Sequence, residues 1–255
     1  AYLAQMEPVD VFYIDPARRG EAGKRVFALS DCEPDLTVVL PALFQKAPRV
    51  IAKLSPMADL SFTCGLLPQT VAIHVLAVRG ECKELLFCLE RDRTVESTQI
   101  HCVHFTTGGE ECFDFTMTEE REAEVQIGGV LGTYLYEPNV AILKAGAFKS
   151  VAARFGLRKL QASSHLYTSD TWVEAFPGRR FQVKAVIPFH GKACKQLNRQ
   201  LPQANLTTRN FPLSVNELRK RLKIAEGGMD YLFATTTADG EKVLIHGVKP
   251  EHQAD

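Results

Sequence analysis

Directly after the apolar run Val-Phe-Tyr-Ile at 11–14, the chain places Asp15-Pro16-Ala17-Arg18-Arg19, a carboxylate, a rigid turn and two guanidinium groups in sequence. The carboxyl end of a strand in an open α/β sheet opens on the ligand crevice. An Asp-Pro turn there aims a carboxylate and backbone carbonyls into the crevice. Two arginines beside it can meet a phosphate or carboxylate through paired hydrogen bonds. Asp-Pro after a strand is also a common turn, and paired arginines are common surface, so the five residues alone leave both readings open.

A second group is basic. Lys192, Lys195 and Arg199 follow helical spacing on the side opposite Cys194, Leu197 and Leu201, and Arg219, Lys220 and Lys223 do the same on the next helical segment. With Arg209 and Asn210 in the turn between them they can form one cationic surface for a phosphate backbone, and Phe211 can stack on a base. The plainer reading is that these cations solvate amphipathic helices while Phe211 packs beneath the turn with Pro212. Charge favours the first. The chain is neutral overall, yet residues 1–129 carry 12 Lys and Arg against 20 Asp and Glu, and residues 130–255 carry 18 against 10. Halves of net −8 and +8 point to a polyanion for the C-terminal part. A third group, His101, Cys102, His104 and Cys112, lacks the spacing of a tetrahedral zinc set, and no metal site is expected.

These residues need elements to position them. Residues 9–16 read as a buried parallel strand ending at Asp-Pro. Residues 30–48 read as a helical segment with Ser30 as N-cap and Glu33 at the capping-box position, which Pro41 can divide. A second strand follows at 49–56. A hairpin then joins 70–80 to 83–91 through Gly80, and another is centred on Gly108-Gly109. The acidic stretch 118–126 reads as a solvated boundary. Residues 138–156 read as one amphipathic helix, with Ile142, Ala145, Phe148, Ala152 and Phe155 on a shared face and a stop at Gly156. Beyond it come a strand at 179–189, a helix at 191–201 and a strand at 204–211. A helix follows at 212–222, capped by Ser214 with Glu217, and the unit ends in a hairpin through Asp239-Gly240.

Strand-Asp15-Pro16-Ala17-Arg18-Arg19, then a helix, then RVIAKLSP at 49–56 resembles strands four and five of class I S-adenosylmethionine-dependent methyltransferases. With TRNFPLSVNELRKRL at 208–222 and LFATT at 232–236, the order resembles bacterial RNA methyltransferases that carry a THUMP-like domain, over essentially the whole chain. The resemblance implies an α/β fold: a partial class I methyltransferase (Rossmann-like) sheet over 1–91, a connecting hairpin and acidic linker over 92–129, and a smaller α+β THUMP-like domain over 130–255. It makes Asp15 and Pro16 catalytic-loop residues and Arg18 and Arg19 candidates to contact the nucleotide or to stabilise the loop, with Lys53 and Ser55 within reach of the same cleft. Ala17 departs from the Pro-Pro form of base-amino methyltransferases. Asp15 is the one residue here with a possible cofactor contact. The implied cofactor is S-adenosylmethionine, and the implied partner is RNA, ribosomal or transfer.

The glycine-rich loop after strand one and the acidic end of strand two, which hold the cofactor in such enzymes, precede strand four. Residues 1–14 supply neither, and the chain lacks an initiator Met. The expectation is therefore a C-terminal portion that binds the cofactor weakly or not at all by itself, with an RNA-binding or assembly module as the alternative. The strand at 11–14 would then lie at a sheet edge, where a second copy can pair. Composition is ordinarily globular, with 45% hydrophobic and 24% charged residues. No apolar run reaches membrane-span length and the N-terminus has no signal-peptide pattern. With seven cysteines in apolar contexts, the expectation is a cytoplasmic protein with reduced thiols.

Overall fold

The structure, a computed structural model, describes residues 2–18, 29, 32–92 and 96–250. The chain divides into two units, Ala1–Glu122 with Asn139–Ala147, and Ala123–Pro138 with Phe148–Asp255. After a single helical turn, α1 (Tyr2–Gln5), the apolar run forms β1 (Val11–Ile14), which pairs in parallel with β4 (Arg49–Leu54) in the register Val11↔Arg49 to Ile14↔Ala52. Two-residue strands β2 (Ala17–Arg18) and β3 (Cys32–Glu33) pair with each other after β1.

The crossover helix α2 (Leu36–Phe44) contains Pro41 and begins later than expected. Asp35 is its cap, accepting the Thr37 N–H at 2.9 Å. Pro34 disfavours helical geometry at Glu33, and Ser30 lies outside the described residues. The next crossover holds a helix the sequence reading overlooks, α3 (Leu60–Leu66), capped by Asp59, which accepts the Phe62 N–H at 2.7 Å.

Strands β5 (Thr70–Val78) and β6 (Glu81–Glu90) meet through Arg79 and Gly80, both with left-handed φ, as a two-residue hairpin requires. Strand β6 inserts between β4 and β5. The hairpin β7 (Gln99–Thr106) and β8 (Gly109–Thr116) then pairs β7 in parallel with β5. The six-stranded order is β1-β4-β6-β5-β7-β8. The hairpin expected as a connector is thus the far side of the first sheet, and the acidic residues after it form α4 (Met117–Glu122). At the other edge, β1 has no second partner strand among the described residues, and Tyr13 is 60% exposed.

Residues 138–156 are two helices, not one. Gly146, with a left-handed φ of 78°, ends α5 (Val140–Ala145), and α6 (Ser150–Phe155) starts anew. The supposed common face therefore divides: Ile142 belongs to the first unit and Ala152 to the second. Asn139 caps α5 through its Oδ1, which accepts from Ala141 and Ile142 N–H at 3.1 Å, and α5 packs on β5, β6 and β7.

The second unit holds β9 (Tyr134–Pro138), β10 (Arg158–Lys159), β11 (Tyr167–Ser169), β12 (Gly178–Pro188), α7 (Gly191–Gln200), β13 (Asn205–Arg209), α8 (Val215–Leu222), β14 (Asp230–Thr236) and β15 (Lys242–Val248). Its sheet order is β10-β11-β9-β12-β15-β14-β13. The expected β-α-β-α-β-β succession from β12 onward is present. One face buries Leu197, Leu206, Leu218 and Leu244 under α7 and α8. The opposite face buries Leu135, Phe181, Phe233 and Ile245 with Leu160 and Leu166.

The capping box at Ser214 forms as its spacing requires, with Glu217 Oε2 accepting from the Ser214 backbone N–H at 2.8 Å and its hydroxyl at 2.7 Å. Those two donors hold the Glu217 carboxyl below its ordinary value of 4.5. The carboxylate's share of the box is therefore full above about pH 4.5 and lost as the pH falls through the lowered value, while the bond from the Glu217 N–H to Ser214 Oγ does not titrate. Ser214→Ala is expected to cost about 1 kcal/mol at pH 7 in urea unfolding, with the difference from the parent shrinking in acid. Gly132→Ala should cost more, because its Cβ would stand 2.6 Å from the Ser169 carbonyl oxygen, a backbone atom that cannot swing away.

Candidate functional site

Parallel pairing sets the carboxyl ends of β1 and β4 side by side, and both strands stop at an X-Pro step, Asp15-Pro16 and Ser55-Pro56. The strand pairing ends at Ile14↔Ala52, and the next residues along the two strands are Asp15 and Lys53. Asp15 Oδ2 lies 2.5 Å from Lys53 Nζ, and Glu84 on β6 lies 3.8 Å from the same ammonium. A cleft of about 320 Å³ opens here, lined by Asp15, Pro16, Ala17, Lys53, Ser55 and Glu84. Pro16 is buried, which anchors the turn, while the Asp15 side chain is 50% exposed and open to the cleft. The hydrogen bond that Lys53 donates to Asp15 raises the Lys53 pKa, against a smaller opposing effect of desolvation.

Chemically, the pair offers a carboxylate acceptor and an ammonium donor at one point of a strand-end crevice, suited to gripping a hydroxyl or amino group. Lys53, which the sequence places only within reach of the cleft, is Asp15's direct partner. Glu84 was not singled out. It arrives only because β6 inserts beside β4, a pairing that has no local signal. Arg19 and the side chain of Arg18 lie outside the described residues.

The basic residues do not form one surface. Lys195 and Arg199 are exposed on α7, and Lys220 and Lys223 are exposed at α8, as is Arg221, which sits 4.6 Å over the Phe189 ring. The side chain of Lys192 lies outside the described residues. Arg219 turns inward and donates to the carbonyls of Ala204 and Ile224 at 3.4 and 3.3 Å. Phe211 packs edge-on against Phe189 at 4.9 Å and against the helical core, so it is not free to stack on a base.

Arg209 lies on the other face of the sheet. Leu206 points to the helices, and strand alternation sends Thr207 and Arg209 the opposite way. There Arg209 Nε donates to Glu137 Oε1 at 2.8 Å, and Arg179 Nε donates to Glu137 Oε2 at 2.7 Å. Asn210, with a left-handed φ of 51°, donates through Nδ2 to Gln161 Oε1 at 2.9 Å.

The histidines of β7 are held structurally. His104 Nε2 accepts the Gly80 N–H at 2.9 Å, so the neutral ring carries its proton on Nδ1 and donates it to Glu111 Oε2 at 3.1 Å. Glu111 Oε2 also accepts from Asn139 Nδ2 at 2.9 Å. His101 pairs with Asp114, and Cys102 is 1% exposed with its thiol pKa pushed far up by burial. Among the described residues, no three His, Cys, Asp or Glu side chains are grouped to hold a metal ion, and no helix is long and apolar enough to cross a membrane.

The Asp15–Lys53 contact has a direct spectroscopic test. In Asp15→Asn the acceptor loses its charge, so Lys53 should titrate at lower pH than in the parent chain, followed by the NMR shift of its side-chain carbons. An unchanged Lys53 titration would remove Asp15 as its partner.

Comparison with known proteins accords with this geometry. Residues 134–177 match a family model described as a ferredoxin-like domain, and residues 178–249 match one described as a THUMP domain-like family. Two uncharacterized S-adenosylmethionine-dependent methyltransferases from Mycobacterium tuberculosis strains are 27% identical over 238 residues, 92% of this chain. The chain spans 62% of the length of these curated relatives. A crystal structure of a provisionally assigned methyltransferase from Porphyromonas gingivalis W83 superposes with a TM-score of 0.88 at 46% identity, over 95% of this chain and 60% of that one. The chain is thus homologous to S-adenosylmethionine-dependent methyltransferase-like proteins, with a Rossmann-like α/β sheet followed by a smaller α+β domain that is THUMP-like.

Proposed function

We propose that this chain is the C-terminal part of an S-adenosylmethionine-dependent methyltransferase acting on RNA, and that it supplies the acceptor side of the transfer site together with an RNA-holding domain. The observation that carries the reading is the Asp15–Lys53 pair, set in a cleft at the adjacent carboxyl ends of two parallel strands. Homology to methyltransferases supports the reaction class, and the THUMP-like match supports an RNA partner.

The cofactor does not fit the donor set of the described residues. A glycine-rich turn after a parallel strand would bring backbone N–H groups close to it, yet β1 and β4 are followed by Asp-Pro and Ser-Pro. The cleft residues therefore act on the acceptor. Asp15 accepts a hydrogen bond or a proton from the reacting base or ribose group. Lys53 orients Asp15 by donating to its carboxylate. Buried Pro16 fixes the turn that carries Asp15, and β4 carries Lys53, so that catalysis rests on positioning and local charge.

The test uses the full-length protein. Asp15→Ala should lower methylation of its RNA by about 10²-fold or more, the scale of a lost acid–base or positioning group, with RNA affinity intact. Unchanged methylation would remove Asp15 from the mechanism. The chain by itself should show no micromolar S-adenosylmethionine binding in titration calorimetry. Reversing Lys195 and Arg199 to Glu should weaken RNA binding and flatten its salt dependence, because each phosphate contact contributes about 0.9 to the slope of log K against log salt on a duplex and about 0.7 on a single strand. An unchanged slope would argue against α7 as a contact.

A further inference from the structure

The opposite sheet face of the second unit, away from α7 and α8, carries an arrangement that no sequence pattern announces. Glu137 on β9 has a side chain only 4% exposed, and it is shared by two arginines that come from different strands, Arg179 on β12 and Arg209 on β13. Arg209 Nε takes one carboxylate oxygen, while Arg179 Nε and Nη2 both take the other. Thr207 Oγ1 receives a second bond from Arg179 Nη2 at 3.2 Å, and the Arg179 guanidinium lies over the Phe181 and Phe233 rings at 5.7 and 5.6 Å.

The consequence is geometric. A guanidinium carries five N–H donors in a rigid fork. Arg179 is held through Nε and Nη2 and Arg209 through Nε, which restricts where their remaining donors point. Among the described residues, both Nη atoms of Arg209 and Nη1 of Arg179 make no hydrogen bond to protein, and the two side chains are 36% and 44% exposed. Two cations against one carboxylate leave a net positive charge.

The surroundings are ordered in an unusual way. Four non-glycine residues have left-handed φ among the described residues; one of them, Asn210, directly follows Arg209, and another, His165, feels the Arg209 charge. Asn210 is tied to Gln161 by its side chain and to Thr236 by its carbonyl, and His165 stacks on Phe148 at 3.7 Å. Backbone held in sparsely populated conformations costs energy and gathers at ligand sites. Burial pushes the His165 pKa down to about 4, with smaller contributions from the Lys159 and Arg209 charges.

We propose that Arg179 and Arg209, braced by Glu137, form a phosphoryl clamp that grips a backbone phosphodiester of the RNA. The clamp lies on the sheet face opposite the cationic helices. It rests on the RNA reading above and adds to it a defined contact point. Paired N–H bonds to two oxygens of one phosphate suit guanidinium forks and not ammonium groups, so charge alone does not replace them.

The experiment uses this chain with two probes, a single-stranded RNA dodecamer of mixed sequence and inorganic phosphate. In NMR titrations of the parent chain, the Nε–Hε signals of Arg179 and Arg209 should shift with both probes, with RNA saturating at much lower concentration. Arg209→Lys keeps the charge beside Glu137 but loses the fork. It should weaken RNA binding by about tenfold or more, the scale of a lost charged hydrogen bond, while the slope against salt stays near that of the parent. Unshifted signals and an unchanged affinity in Arg209→Lys, with RNA still bound, would overturn the clamp and leave the proposed function standing. Shifts with phosphate alone would make it a site for free phosphate and overturn its assignment to RNA. Absence of any RNA binding at low salt by the full-length protein would instead count against the proposed function.

Discussion

The parallel pairing of β1 with β4 is the constraint on which the first unit depends. It requires a crossover, which supplies α2, and it brings two strand ends to one side of the sheet. Both ends are proline steps, so neither strand extends into the cleft and fills it. Asp15 and Lys53 then face each other as a consequence of register. A slip of β1 by one residue would send Asp15 to the opposite side of the sheet from Lys53 and dissolve the pair.

The two units use charge differently. In the first, the acidic excess lies on exposed helix ends, hairpin strands and the cleft, where Lys53 is flanked by Asp15 and Glu84. In the second, the basic excess is divided between the two faces of one sheet. Lys195, Arg199 and Lys220 on α7 and α8 are exposed, whereas Arg179 and Arg209 are organised by a buried carboxylate. A buried anion with two hydrogen-bonded cationic partners is tolerable, and one left without them is costly. Glu137 therefore orders the guanidinium groups and depends on them.

Local signals were legible wherever a short-range interaction decides the outcome. Ser214 and Glu217 satisfy each other within one helical turn, and Asp239-Gly240 closes β14 onto β15 with Gly240 in a left-handed conformation. Asp15-Pro16 stops β1. Where two local signals competed, the stronger prevailed: Pro34 overrode the Ser30–Glu33 pattern and moved the cap to Asp35, and Gly146 divided a continuous apolar periodicity. Helix α3 was missed because its seven residues carry too little periodicity, although Asp59 was a readable cap.

By itself, then, the sequence determined the strand-end placement of Asp15, the β-α-β-α-β-β succession from β12 onward, the buried face of α7 and the resemblance to a methyltransferase with a THUMP-like domain. Only the tertiary structure decided which residues share a site. The β7–β8 hairpin joined the first sheet because β5 had an open edge for it. Glu84 met Lys53 because β6 inserted beside β4. Arg209 left the helical surface because strand alternation turned it toward Glu137, distant in the chain. These are long-range pairings, set by register and burial between segments, and short-range propensity contains no term for them.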